Sequence, residues 1–200
     1  MMKGEAAPTP GRASARHPAG PIRGMTEPKS PTLNDGTPFT IRLLRLDDAP
    51  RLQALHSRLS PESIHLRFMA QMPALPPAEA QRLADVDGQS RVALVATAER
   101  DGQEVILGVA RYAALGPERP DEAEAAIVVE DRYQGQSLGT LLIERLIAYA
   151  RAHGIRWFVA QVSLENDRMA RFIRRSGLPQ EMKLEDGVWQ VRVDIAPEAD

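Results

Sequence analysis

Ala126-Ile-Val-Val-Glu-Asp-Arg-Tyr-Gln-Gly-Gln-Ser-Leu-Gly139 is the stretch on which the fold of this chain turns. Its apolar, β-branched start reads as the end of a strand, its middle is polar with glycine, and a long helix follows from about Leu138 to His153, stopped by Gly154. A strand that ends in such a turn and feeds a helix gathers backbone N–H groups, and the positive end of the helix dipole, around one point. That point suits an anion, most often a phosphate or pyrophosphate. Gly135 and Gly139 let the backbone approach the anion closely, and Ser137 adds a hydroxyl donor. Two nucleotide motifs fail here. A P-loop ends in Lys-Ser or Lys-Thr, whereas Leu138-Gly139-Thr140 holds no lysine, and a Rossmann fingerprint needs more chain after it than remains.

Working outward, Glu122 to Glu130 forms the strand that enters the turn. Before it lie two runs, Arg91 to Ala98 and Val105 to Leu115, joined across Arg100-Asp101-Gly102 as a hairpin. After the long helix come a strand from Trp157 to Ser163, a helix from Asn166 to Ser176 stopped by Gly177, and two strands joined at Glu185-Asp186-Gly187. Upstream, Phe39, Ile41 and Leu43 alternate as a half-buried strand, and Asp47 or Asp48 caps a helix running to about Leu59. Ser60-Pro61-Glu62-Ser63 starts a second helix, because proline at the first helical position has no N–H to waste. Pro76-Pro77 opens a third, which ends near Asp87-Gly88. Residues 1–38 hold seven of the sixteen prolines with few bulky apolar residues, so they read as a disordered tail ahead of a domain spanning 39–196.

Composition narrows the function. The chain has 200 residues, 43% of them hydrophobic and 26% charged, which is one globular domain plus spare chain. No cysteine is present, which removes disulfides, thiolate metal sites and a cysteine nucleophile together. A formal charge of -2 opposes a dedicated nucleic-acid binder, and no apolar run is long enough to span a bilayer, so a cytoplasmic protein is expected. His56, His65 and His153 lie on separate elements without metal-ligand spacing, and no metal is expected. Trp157 and Trp189 read as core residues.

Gln134-Gly-Gln-Ser-Leu-Gly139 resembles the acyl-CoA pyrophosphate loop of the GNAT acetyltransferases, Arg/Gln-x-x-Gly-x-Gly/Ala, with Ser137 where that pattern has its first glycine. The resemblance covers residues 39 to 195 and includes the order of elements. It implies an α/β fold with a mixed, mostly antiparallel sheet flanked by helices. Its central parallel strands, Glu122 to Glu130 and Trp157 to Ser163, splay apart. Acetyl-CoA is the implied co-substrate. Its pyrophosphate lies at Gln134, Gly135, Gln136, Ser137, Leu138, Gly139 and Thr140, backbone N–H groups around Val128 and Val129 hold its pantetheine arm, and Asn166 touches that arm. Asn166-Asp-Arg-Met-Ala-Arg-Phe-Ile173 places Ile173 where many small-molecule GNAT enzymes carry an acidic tyrosine. Together with Ser60-Pro-Glu-Ser-Ile-His-Leu-Arg-Phe68, it is similar to the GNAT domain of bacterial Pat-type protein lysine acetyltransferases. That similarity implies a glutamate general base at Glu124 and a lysine on a protein as acceptor.

The residues support Glu124 independently. A lysine amine, with a pKa near 10.4, must lose a proton before it attacks a thioester, and a carboxylate on the adjoining strand is the obvious acceptor. Alternation puts Glu122, Glu124, Ala126 and Val128 on one face, and Glu122 is the fallback base. Arg168, Arg171, Arg174 and Arg175 form a basic helix face that suits the 3′-phosphate of the coenzyme. Two rivals stay open at this level, an acetyltransferase of small amines and a non-catalytic acyl-CoA sensor, and the oligomeric state is not legible.

Overall fold

A computed structural model describes residues 31–196. The expectation of disorder for the first thirty residues lies outside them. The described chain runs β1 (Thr40–Leu43), α1 (Ala49–His56), α2 (Pro61–Phe68), α3 (Pro77–Ala84), β2 (Arg91–Arg100), β3 (Gln103–Ala114), β4 (Glu122–Val129), α4 (Leu138–Ala152), β5 (Trp157–Ser163), α5 (Asp167–Arg175), β6 (Gln180–Glu185) and β7 (Val188–Asp194), with single 3-10 turns at Leu46–Asp48 and Asp131–Tyr133. Seven strands form one sheet in the order β1-β2-β3-β4-β5-β7-β6, and every neighbouring pair is antiparallel except β4–β5.

The pleat sorts the core into two layers. Ala123, Ala125, Ile127 and Val129 of β4 join Tyr112 and Ala110 of β3 against Leu138, Leu142 and Leu146 of α4. The opposite face places Val128, Val109, Ala93 and Val95 against Leu52 and Leu55 of α1, Ile64 of α2 and Ala80 and Ala84 of α3. Gly108 lets α4 pack tightly on β3: an added Cβ would lie 3.0 Å from the Val128 carbonyl oxygen and 3.2 Å from Leu142. The register between β2 and β3 steps at Ala96 and Thr97, and the extra residue falls on β3.

Both hairpin turns use the expected residues, Asp101-Gly102 at φ 51° and 74°, and Asp186-Gly187 at φ 49° and 80°. Helix α2 opens as read, with Ser63 N–H donating to Ser60 Oγ at 3.1 Å and Pro61 at its first position. Helix α3 stops at Ala84, short of Asp87, because the Asp87 carboxylate closes its own turn by accepting from Gln89 N–H and Arg91 N–H, both at 2.8 Å. Helix α1 ends at His56, and Arg58 and Leu59 continue it only as tight turns back to Leu55 and His56.

Ordered packing starts earlier than the composition suggested. Leu33 is 4% exposed within the α4-side core, Thr32 bridges Pro38, and Phe39 N–H donates to Pro31 O. One bulky apolar residue and a turn at Gly36, φ 84°, suffice to bring residues 31–38 onto the domain.

Candidate functional site

The chain leaves β4 through a tethered corner. Glu130, 3% exposed, binds Arg58 at 2.9 Å and Arg132 at 2.6 Å, while Asp131 accepts from Ser60 N–H, Ser60 Oγ and Ser63 Oγ at 2.9, 2.7 and 2.8 Å. Burial pushes the Asp131 carboxyl up, and the bonds from Ser60 and Ser63 outweigh it, holding it below the usual carboxylate range. Gln134 Nε2 then donates to Val129 O at 2.9 Å and to Ser63 Oγ at 3.2 Å, fixing the start of the loop. Beyond it, the backbone N–H groups of Gly135, Gln136, Ser137, Leu138, Gly139 and Thr140 find no acceptor among the described residues. Six successive free donors at the start of a fifteen-residue helix make a site for a multiply charged anion.

Beside this loop the sheet opens. Strands β4 and β5 pair only over Glu122–Trp157, Ala123–Phe158 and Glu124–Val159, and part beyond them. Glu122 O and Glu130 N–H both bond toward β3, so by alternation the even residues of β4 direct their peptide edges to β3 and the odd ones face the gap. Of the two valines expected to hold a ligand through backbone N–H, Val129 therefore faces the gap, and Val128 is engaged with β3. Ile127 and Ala125, which the sequence reading did not single out, share the Val129 side. The cleft below is apolar, walled by Ile127, Ile143, Phe158, Val162, Met169 and Ile173. It is suited to a flexible chain carrying few charges.

Glu122 and Glu124 share the face of β4 away from α4, as alternation requires. Their surroundings differ. Glu122 is bound by Arg192 at 3.0 Å and Arg119 at 3.4 Å. Glu124 is exposed and makes no hydrogen bond or ion pair among the described residues, though the charge of Arg67 acts on the same spot. Its neighbours Ala123 and Ala125 do not bury it.

Comparison with known proteins closes the case for the fold. Residues 53–178 match the acetyltransferase (GNAT) family. The chain belongs to the GNAT family. It is 36% identical over 138 residues to the acetyltransferase PA5475 of Pseudomonas aeruginosa, covering 69% of this chain and 73% of that protein. Among solved structures, the GNAT domain of Streptomyces lividans PAT aligns with a TM-score of 0.72 at 33% identity, over 82% of this chain and 94% of that one. The yncA protein of Salmonella typhimurium, solved with its cofactor acetyl-CoA, shares the fold at a TM-score of 0.60 and 19% identity, over 81% and 96% of the two chains.

As a GNAT acetyltransferase, the chain departs from the loop pattern at one place, and the departure carries a conformational cost. Ser137 sits at φ 63°, ψ -2°, the left-handed region in which glycine is unstrained and other residues lose about 1 kcal/mol or more. The serine is exposed, and its N–H finds no acceptor among the described residues. Gly139 faces β4, where an added Cβ would make ordinary contacts with Ile127 and Val129 at 3.6 and 3.7 Å. Gln136 is held from two sides, by Arg132 O and Asn34 N–H, a link to the chain before β1 that no sequence pattern announces.

Asn166 lies at the cleft, with its side-chain oxygen accepting from Met169 N–H at 3.0 Å as the cap of α5, so its amide group alone is left to donate to a ligand. Ile173 lines the same cleft and offers no proton. Arg168, Arg171, Arg174 and Arg175 are all exposed. His56 is buried with Nε2 unpartnered, packed 5.8 Å from the Phe68 ring, and His65 is exposed. Trp157 is half-buried with its ring under Arg192 at 3.5 Å, and Trp189 is half-buried too, so neither is a full core residue. No helix of the described residues is long and apolar enough to cross a membrane.

Proposed function

We propose that this GNAT protein moves an acetyl group from acetyl-CoA to a primary amine, a lysine side chain on a cytoplasmic protein, with Glu124 as general base. The observation that carries the reading is the run of six free N–H groups from Gly135 to Thr140, set at the open end of the β4–β5 gap with the unbound Glu124 carboxylate further along β4. The loop fits the pyrophosphate, the apolar cleft fits the pantetheine arm, and the Val129 N–H faces the route between them. The basic face of α5 suits the 3′-phosphate. The Salmonella typhimurium neighbour, which was solved with acetyl-CoA, supports the choice of co-substrate. Likeness to the Streptomyces lividans PAT domain supports the lysine acceptor.

Acetyl-CoA supplies a carbonyl activated as a thioester. Glu124 takes the proton that the acceptor nitrogen loses as it bonds to the carbonyl carbon, and the C–S bond breaks to release the thiolate. No tyrosine stands at Ile173 to protonate that thiolate, so solvent supplies the proton. Free N–H donors along the odd edge of β4 are placed to polarise the carbonyl oxygen. The test is acetyl-lysine mass spectrometry of a cell lysate incubated with acetyl-CoA, with and without the purified protein. New acetyl-lysines on discrete proteins support the reading. Acetylation confined to small amines moves the acceptor class, and coenzyme binding without any transfer identifies an acyl-CoA sensor.

A further inference from the structure

Two guanidinium groups stand beside the β4 face that carries Glu124, without a hydrogen bond or ion pair among the described residues. Arg111 of β3 stands directly opposite Ala126 in the β3–β4 register, and Glu124 is its diagonal neighbour on the same face, with Cα atoms about 7–8 Å apart. Arg67, in the last turn of α2, forms the wall of the cleft beside Ala126. Both side chains are half-buried, and neither makes a hydrogen bond or ion pair among the described residues. Arg67 lies over the Phe68 ring, 5.0 Å from its centroid. Burial pushes the Arg111 guanidinium down to about 10, with the charges of Arg67 and Arg82 adding to the effect; burial lowers Arg67 too, partly offset by Glu124. Both remain cations at neutral pH.

The nearby acids give them no hydrogen bond or ion pair among the described residues, and Glu124 offsets Arg67 through its charge alone. Glu79 is held by Arg82 at 2.5 Å and Glu122 by Arg192 at 3.0 Å. Half-buried arginines elsewhere in the chain are bound: Arg42 by Asp48 and Glu104, both at 2.7 Å, and Arg58 by Glu130 and the Ile106 carbonyl. A partly dehydrated charge left unpaired beside another of the same sign is costly, and a ligand anion relieves both costs at once. Two guanidinium groups present ten N–H donors in planar forks, which suit a carboxylate.

We propose that Arg67 and Arg111 seat a carboxylate carried by the acceptor, on the same side of the sheet as the Glu124 that deprotonates its amine. The inference rests on the transfer reading above and adds the acceptor's chemistry: an amine and a carboxylate in one molecule. The amine end faces Glu124, and the acidic end faces the arginines. The same cations disfavour an ammonium at that place, so they help the acceptor nitrogen arrive neutral. An acidic residue beside the target lysine, or the carboxylate of a free amino acid, would supply the same chemistry.

The full chain with saturating acetyl-CoA tests this by kcat/KM on two matched pairs: a lysine peptide flanked by Glu against the same peptide flanked by Gln, and 6-aminohexanoate against its amide. The seat predicts a preference of at least about tenfold for the carboxylate member. A preference in the peptide pair assigns it to protein acceptors, and one confined to the aminohexanoate pair assigns it to small ones. Arg111→Gln is expected to bring the ratio to about one, chiefly through KM, and Arg111→Lys to restore part of it. Equal wild-type rates within both pairs overturn the seat, whatever the variants do. No turnover on any acceptor, with coenzyme A still raising the melting temperature, removes the transfer reading and the seat with it.

Discussion

Arg192 of β7 donates from Nη2 to Glu122 Oε1 over 3.0 Å, tying the far half of the sheet to the first residue of β4. This pair separates Glu122, the fallback base of the sequence reading, from Glu124. With Arg119 on its other side, Glu122 serves the joint between β4 and the strands beyond the gap, and Glu124, one pleat on, has no such partner among the described residues. Glu122→Gln is expected to cost about 1 kcal/mol in urea unfolding while leaving acetyl transfer near the wild-type rate. A large loss of rate at unchanged stability would make Glu122 the base.

Ser137 gives a paired prediction about the loop. Ser137→Gly relieves the left-handed strain and should raise stability by up to about 1 kcal/mol, with coenzyme binding kept. Ser137→Asp also tolerates that backbone region but brings a carboxylate to the six free N–H groups. It should fold, and it should lose most of the stabilisation of about 2.7 kcal/mol that coenzyme A gives at 100 times its dissociation constant. Thermal shift with and without coenzyme A reads both variants. A full shift in the aspartate variant would put the phosphate site elsewhere.

What the sequence made legible was local. Asp101-Gly102 and Asp186-Gly187 set two hairpins, Ser60-Pro61 starts α2, and the polar turn after β4 leads into α4, each within a few residues. What it hid depends on contacts across long stretches of chain. The bonds from Ser60 and Ser63 to Asp131 join residues 68 to 71 positions apart, and the end of the β4–β5 ladder at Glu124 is a matter of register with a strand more than thirty residues on. Arg111 reads as one charge in a strand until β4 pairs beside it and α2 brings up Arg67. Leu33 reads as a lone apolar residue among prolines until α4 offers it a surface.

That packing makes a truncation series informative. A chain starting at Pro31 keeps Leu33, the Thr32–Pro38 bridge and the Asn34 link to Gln136. One starting at Thr37 loses all three and should be less stable by roughly 1.5–3 kcal/mol, the worth of burying one leucine. It should also bind coenzyme A less tightly, because Gln136 loses a tether. Equal melting temperatures would show that residues 31–36 contribute nothing.

Acid should act in two stages. Burial depresses the His56 imidazole, so the folded state holds fewer protons there than the unfolded chain. Its contribution is complete above the ordinary imidazole value of about 6.5 and is lost as pH falls through it. Asp48 and Asp131 are raised by burial but depressed further by their hydrogen bonds and charged partners, and hydrogen bonds likewise hold Asp87 at about 2, so their contribution holds above the ordinary carboxylate range and fades below it. Urea midpoints against pH should show the first decline between about 7 and 5, and His56→Leu should flatten it. An unchanged slope in that variant would assign the decline to other groups.

Glu124 as the base of an amine acetyl transfer is tested most directly by the rate of coenzyme A thiol release with a lysine peptide, wild type against Glu124→Gln, across pH. A general base at Glu124 predicts unchanged affinity for acetyl-CoA in the variant, a rate at least about 10²-fold lower at neutral pH, and partial recovery as rising pH deprotonates the peptide amine. A Glu124→Gln protein that releases thiol at the wild-type rate across the whole range would contradict it.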